Sequence, residues 1–178
     1  MKKILIDVDG VLRDIVNPIV NYVNEIFGKE YTETDVTDWD IGKALSIPEY
    51  FDWYLYFIKN DIKGIFYHSF PYKDAIINYH RLSKNNSMNI CTAQFPQNQI
   101  NTIHWLEKYT FKYDSLHFTN SKYNIMADIF IDDNLLNVIK YRSFNEKSEI
   151  FLIDRPWNQQ PENPGFYKRV SSLKDIII

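Results

Sequence analysis

Glycine is scarce in this chain, with five among 178 residues, where ordinary usage would give about twelve. No Gly-x-Gly-x-x-Gly run and no P-loop run occurs, so phosphate sites cradled by a glycine-rich backbone are excluded. The single cysteine, Cys91, cannot form an internal disulfide, which fits a reducing compartment. Cys91 also lacks the arginine six residues on that a cysteine-nucleophile phosphate loop needs, so it reads as a buried strand residue. A Gly-x-Ser-x-Gly elbow is missing as well. His68, His80, His104 and His117 are too far apart for a helical zinc pair and read as surface or partly buried polar residues. The apolar run after Met1-Lys2-Lys3 stops at Asp7, and no stretch is long enough to span a bilayer, so neither an export signal nor a membrane partner is expected. Lys and Arg total 20 against 23 Asp and Glu, a net charge of -3, which argues against a nucleic-acid polymer as partner. Repeats, low-complexity tracts and Pro/Gly/Ser linkers are lacking too. The expectation is a cytoplasmic protein built as one unit; whether it pairs as a homodimer stays open.

What is present is a sizeable core. Hydrophobic residues make up 45% of the chain, and 12 Phe, 13 Tyr and 4 Trp exclude a disordered polymer. Residues 4–8 read as a short buried strand ending in the acidic turn Asp7-Val8-Asp9-Gly10. A helix follows, with Pro18 in its first turn, Ile19, Val20, Val23, Ile26 and Phe27 at helical spacing, and Gly28 as its cap. Residues 30–47 read mostly as loop with one helical turn, and Pro48 opens a second helix over 48–60. From residue 71 the pattern becomes regular: helix 73–84, strand 88–92, helix 98–109, strand 114–118, a short helix near 122–126, strand 129–131, helix 134–142 and strand 149–153. This alternation predicts an α/β, doubly wound parallel sheet of Rossmann-like type, covered on both faces. Residues 15–70 contain no convincing strand, so they read as a small helical cap inserted after the first strand, with residues 1–14 and 71–178 forming the core. The stretch from Pro156 to Pro164 reads as a loop.

In an open parallel sheet, ligands bind outside the carboxyl ends of the strands. There the sequence places Asp7 and Asp9, Thr92, and the pair Asp132-Asp133. A single Asp in such a position usually caps the next helix. Four carboxylates converging on one crevice would instead repel one another unless a cation lay between them. Oxygen-only ligands of this kind suit Mg2+. Asp14 either positions the first loop or caps the following helix.

These residues carry a resemblance. Ile4-Leu5-Ile6-Asp7-Val8-Asp9-Gly10-Val11-Leu12 resembles the first motif of the haloacid dehalogenase superfamily of aspartate-nucleophile phosphatases. Thr92 stands where the second motif has Ser or Thr, Lys122 fits the third-motif lysine, and Ile131-Asp132-Asp133 fits the fourth-motif acidic pair. Lys112 and Lys140 compete with Lys122 for that place. The resemblance implies that Asp7 attacks phosphorus to form an aspartyl-phosphate and that Asp9 serves as general acid, then base. It implies Mg2+ between the Asp7 carboxylate, the Asp9 carbonyl and Asp132, with Asp133 ligating directly or through water, and Thr92 and Lys122 holding the phosphoryl oxygens.

A narrower likeness is to the 5'(3')-deoxyribonucleotidase family and its bacterial and phage relatives. It rests on the inserted helical segment, Cys91-Thr92-Ala93-Gln94, His104-Trp105-Leu106-Glu107-Lys108-Tyr109, and Phe151-Leu152-Ile153-Asp154-Arg155-Pro156-Trp157-Asn158. That family usually has Arg after the fourth-motif acids, where this chain has Asn134, and Ser-Pro after the second-motif Thr, where it has Ala93-Gln94. The implied substrate is a nucleoside monophosphate, foremost a deoxyribonucleotide. Between Tyr50 and Phe57 six of eight residues are aromatic, and positions 50, 53, 54 and 57 would share a helical face. Most of these rings read as core of the insertion. One or two of a wider aromatic set are expected at the crevice as base-stacking partners, and the candidate pocket residues are Trp39, Trp53, Phe66 and Ala93. Two other functions stay open: a phosphatase of the same fold acting on another small phosphate such as a sugar phosphate, and a non-catalytic nucleotide- or phosphate-binding regulator. Asp9 separates the last from the first two, because a stable phospho-acceptor needs no general acid there.

Overall fold

The computed structural model describes residues 1–159 and 165–178. Its sheet has six strands, β1 (Lys3–Ile6), β2 (Ser87–Thr92), β3 (Ser115–Phe118), β4 (Ile129–Asp132), β5 (Glu149–Ile153) and β6 (Lys168–Val170), in the order β3-β2-β1-β4-β5-β6. All five neighbouring pairs are parallel. The helices are α1 (Val16–Phe27), α2 (Ile41–Ala44), α3 (Ile65–His68), α4 (Ala75–Ser83), α5 (Pro96–Lys108) and α6 (Leu135–Phe144). No helix among the described residues is long and apolar enough to cross a membrane.

Strand alternation explains why the sheet is apolar on both faces. Ile4, Ile6, Ile90, Ile129 and Ile131 pack with Tyr79 and Leu82 of α4 and with Trp105 and Leu106 of α5. Leu5, Phe130, Ile150 and Leu152 point the other way, onto Val138 and Tyr141 of α6. Cys91 is buried in that second layer, as its sequence context suggests. Strand order reverses about β1, which lies between β2 and β4, and this creates the crevice at the carboxyl ends. Ile6 is in register with Ile90 on one side and Ile131 on the other. Asp7 and Asp132 therefore leave adjacent strands at the same level, and the Asp7 N–H donates to the Ile131 carbonyl at 3.0 Å.

The inserted segment builds a core of its own. Val16, Ile19, Val20 and Val23 of α1 pack with Val36, Ile41, Leu45, Phe57 and Ile65, and Trp157 from the loop after β5 joins them. Gly28 closes α1 in the left-handed conformation, its N–H returning to the Asn24 carbonyl. Asp14 takes the capping role, accepting from the Asn17 N–H at 3.0 Å.

Three expectations need correction. The helix over 48–60 is replaced by a turn and then a π-helical segment, Tyr54–Lys59, in which the Asn60 N–H reaches the Leu55 carbonyl. Its wider repeat re-phases the side chains. Tyr50 is 85% exposed and Tyr54 is half exposed, so 50, 53, 54 and 57 do not form one buried face. Instead Phe51, Tyr56 and Phe57 pack on one another, Phe51–Tyr56 tilted at 5.1 Å and Tyr56–Phe57 edge to face at 4.9 Å. The short helix near 122–126 is a single 3-10 turn, Lys122–Asn124. Finally, β6 has no counterpart in the sequence reading, because Lys168-Arg169-Val170 is a three-residue edge strand with little apolar content. Pro156–Asn158 of the expected loop forms a 3-10 turn, and residues 160–164 lie outside the described residues.

Candidate active site

Two strand ends and one turn converge at the crevice. Asp7 follows β1, Asp132 ends β4, Asp133 follows it, and Lys122 opens the turn after β3; all four are buried. The Lys122 Nζ lies 2.8 Å from Asp7 Oδ2 and 2.8 Å from Asp132 Oδ2. Asp132 is further engaged by the Asn134 N–H at 2.8 Å to Oδ1 and by the Asn137 amide at 3.2 Å to Oδ2. Asp133 is the exception. Its Oδ2 accepts from Trp157 Nε1 at 2.8 Å, but its Oδ1 is buried without a hydrogen-bond partner among the described residues.

Electrostatics follow from this geometry. Burial, together with the charges of Asp132 and Asp9 and against the pull of Lys122, pushes the Asp7 carboxyl up to about 7. Burial and the charges of Asp132 and Asp7 raise Asp133 well above the usual carboxylate range. Burial alone would lower the Lys122 ammonium, yet the charges of Asp132 and Asp7 more than offset it and raise it. Three buried carboxyls thus share one buried ammonium, and with all three ionised two negative charges would go uncompensated. Carboxylate oxygens of Asp7, Asp132 and Asp133 lie within 4.8 Å of one another. A hard divalent cation fits this donor set, and the orphaned Asp133 Oδ1 is the atom that lacks a partner without it.

Gly10 makes the approach possible. With φ at +77°, it occupies a backbone region where a side chain is strained, and a Cβ there would lie 2.1 Å from Asp133 Oδ2. Asp9 lies at the rim, half-buried, with Oδ1 accepting from Arg13 Nε at 2.7 Å and Oδ2 from Gln94 Nε2.

The cleft above these acids has a volume of about 300 Å3. Asp7, Thr92, Lys122 and Asp133 line its floor and Asp9 its rim, and Trp39, Trp53, Phe66 and Ala93 line it as well. Asp132 is not among the lining residues and accepts from Lys122 Nζ at 2.8 Å. Lys112 and Lys140 are exposed and not among the lining residues. The four histidines are likewise outside it. Tyr54 and Gln94 are further lining residues. Sequence reasoning missed the roles of Arg13, Thr102 and Asn137. Arg13 meets Asp9 four residues away and Asn137 meets Asp132 five residues away, both across the bends that follow the strands, while Thr102 reaches Asp9 only through Arg13 and Gln94. Asn134, where arginine is usual in the resembling family, is used locally: its side chain caps α6, accepting from the N–H groups of Leu136 and Asn137.

Comparison with known proteins agrees with the motifs. Residues 1–177 match the family model described as 5' nucleotidase, deoxy (pyrimidine), cytosolic type C protein. A protein of Clostridium acetobutylicum named as a nucleotidase is 29% identical over 176 residues, covering 93% of this chain and 86% of that one. Among solved structures, a haloacid dehalogenase-like hydrolase of Streptococcus pneumoniae superposes with a TM-score of 0.61 at 16% identity, covering 98% of this chain and 96% of the other. The L-2-haloacid dehalogenase of Xanthobacter autotrophicus superposes with a TM-score of 0.60 at 14% identity, over 98% and 96% of the two chains. The structures share the fold, the family model spans nearly the whole sequence, and the chain accordingly belongs to the 5' nucleotidase, deoxy (pyrimidine), cytosolic type C family, a group of phosphatases with the haloacid dehalogenase fold.

Proposed function

We propose that this enzyme hydrolyses nucleoside monophosphates, foremost deoxyribonucleoside 5'- or 3'-monophosphates, through an aspartyl-phosphate on Asp7 with Mg2+ as its metal. The observation that carries the reading is the joining in one cleft of Asp7 and Lys122 with the rings of Trp39, Trp53, Tyr54 and Phe66. Phosphate chemistry occupies the floor, and flat apolar surfaces suited to a base stand over it. Residues 15–70 act in this reading as a cap that supplies the rings, and residues 1–14 and 71–178 as the core that supplies the chemistry.

Asp7 Oδ attacks phosphorus, the bond to the leaving oxygen breaks, and Asp9 gives that oxygen its proton. Asp9 then takes a proton from the water that attacks the phosphoenzyme, which frees inorganic phosphate and restores Asp7. Two of the three Lys122 donors are engaged by Asp7 and Asp132, leaving the third, with the Thr92 hydroxyl, for phosphoryl oxygens. The cation, when bound, neutralises the gathered negative charge of substrate and nucleophile. Asp7, the backbone carbonyl of Asp9 and Asp133 Oδ1 would hold it. Asp132 belongs to the same donor set and also anchors Lys122, accepting from its Nζ at 2.8 Å.

Phosphate release from a panel of ribo- and deoxyribonucleoside 5'- and 3'-monophosphates and sugar phosphates, with and without Mg2+, tests this. The expected result is metal-dependent release that is fastest from deoxyribonucleotides and absent in Asp7→Asn. Release confined to sugar phosphates would retain Asp7 and Asp9 and discard the base pocket. No release by the folded protein would point to the regulatory binding role.

A further inference from the structure

Three side chains close a hydrogen-bonded ring with Asp9. Arg13 Nε donates to Asp9 Oδ1 at 2.7 Å, and Arg13 Nη2 donates to Thr102 Oγ1 at 3.0 Å. The Thr102 hydroxyl donates to Gln94 Oε1 at 3.1 Å, and Gln94 Nε2 donates to Asp9 Oδ2. The members come from the loop after β1, the loop after β2 and the middle of α5. Chemistry fixes the direction of every bond. A guanidinium only donates, so Thr102 accepts from Arg13 and gives its single proton to Gln94 Oε1. The amide NH2 is then left facing Asp9. Each carboxyl oxygen keeps a second lone pair, so the ring holds the group without covering the place of a transferred proton.

Arg13 is locked in turn. Its side chain is fully buried, its guanidinium lies 5.0 Å from the ring centroids of both Phe66 and Trp105, and Nη1 donates to the Phe66 carbonyl. Removing a guanidinium from water is costly until its partners compensate. An apolar side chain would fill the same space without that cost, so the charge and its fork of donors have a use beyond packing.

We propose that Arg13, Thr102 and Gln94 are positioning residues that fix the Asp9 carboxyl for proton transfer to the leaving oxygen, with the Thr102 hydroxyl setting the orientation of the Gln94 amide. This rests on Asp9 as the acid of the phosphatase reading above. The proton passes from the Asp9 carboxyl to the departing oxygen as its bond to phosphorus breaks and the bond from Asp7 forms. Through the Phe66 carbonyl, the same guanidinium also ties the acid to the returning end of the inserted segment.

Leaving-group dependence tests the proposal. An alkoxide needs the proton, whereas p-nitrophenolate departs without it. With saturating Mg2+, first-turnover release of nucleoside from a deoxyribonucleoside monophosphate is compared with the first-turnover burst of p-nitrophenolate. In Thr102→Val, which keeps the shape and removes the hydroxyl, nucleoside release slows about 10- to 100-fold. The p-nitrophenolate burst stays within about twofold, and Thr102→Ser restores nucleoside release. Gln94→Ala, at a half-buried position, reproduces the Thr102→Val pattern if the valine variant folds poorly. Equal slowing of both products, or Thr102→Val and Gln94→Ala behaving as wild type, would overturn the ring's role while leaving the phosphatase intact. A wild-type enzyme that releases neither product would overturn the phosphatase reading itself, and the proposal with it.

Discussion

Asp133 and Asp9 line the same cleft and are provisioned in opposite ways. Asp133 is buried, pushed up by burial and by the charges of Asp132 and Asp7, and has one oxygen with no partner among the described residues. Asp9 stands at the rim with both oxygens engaged by Arg13 and Gln94. The first acid belongs to a charge set that is incomplete until a cation arrives. The second is completed by the chain itself. In the proposed mechanism that contrast separates the group that binds metal from the group that moves protons, although both line one cleft.

The largest expected effect falls on the nucleophile. Asp7→Asn should lower kcat by at least about 1,000-fold, measured with any accepted phosphate ester. Gly10→Ala comes next, since a Cβ 2.1 Å from Asp133 Oδ2 must displace that carboxylate. Calorimetry should show Mg2+ affinity reduced by about 100-fold or more, and the strained backbone should cost about 1–2 kcal/mol of stability in denaturant titration. Trp157→Phe removes the donor that orients Asp133 at 2.8 Å while keeping an aromatic ring. It should weaken Mg2+ about tenfold with little change in fold. If Trp157→Phe binds Mg2+ as wild type does, the orientation of Asp133 is not set by that indole.

A pH dependence sharpens the same contrast. The Asp7 carboxyl is about 7 in the fold against 3.8 as a free side chain. Between those values the native state holds a proton that the unfolded state has released. Its contribution to stability is therefore present below about pH 4 and is lost as pH rises through 7, by up to about 1.4 kcal/mol per pH unit. Metal must displace that proton. The rise in Tm on adding Mg2+ should therefore be larger at pH 7.5 than at pH 5, read by thermal denaturation at fixed metal concentration. An equal rise at both values would mean that Asp7 is already ionised at the lower pH. The smallest effect is expected in the base pocket, where Trp53→Ala should raise KM for nucleotides about fivefold and leave kcat nearly unchanged.

The floor of the cleft was legible in the sequence because it depends on strand ends. Each acid directly follows a short apolar run, so alternation and register carry it to the crevice, and Ile6 pairing with Ile131 is what sets Asp7 beside Asp132. The parallel core was readable for the same reason. The insertion was less so. Its π-helical segment shifts the phase on which an amphipathic reading depends, so which rings pack and which line the cleft had to come from tertiary structure. Arg13 and Thr102 were invisible for a related reason. They are 89 residues apart, and nothing in the local pattern of either predicts a shared hydrogen bond.

The most direct test is Mg2+ binding by calorimetry at pH 7.5 to the wild-type enzyme, Asp133→Asn and Asp9→Asn. Asp133→Asn is expected to lose the metal. Asp9→Asn, which keeps the backbone carbonyl, is expected to bind it within a few-fold of wild type while losing turnover. Equal loss of metal in both variants would contradict the division of labour between the two acids.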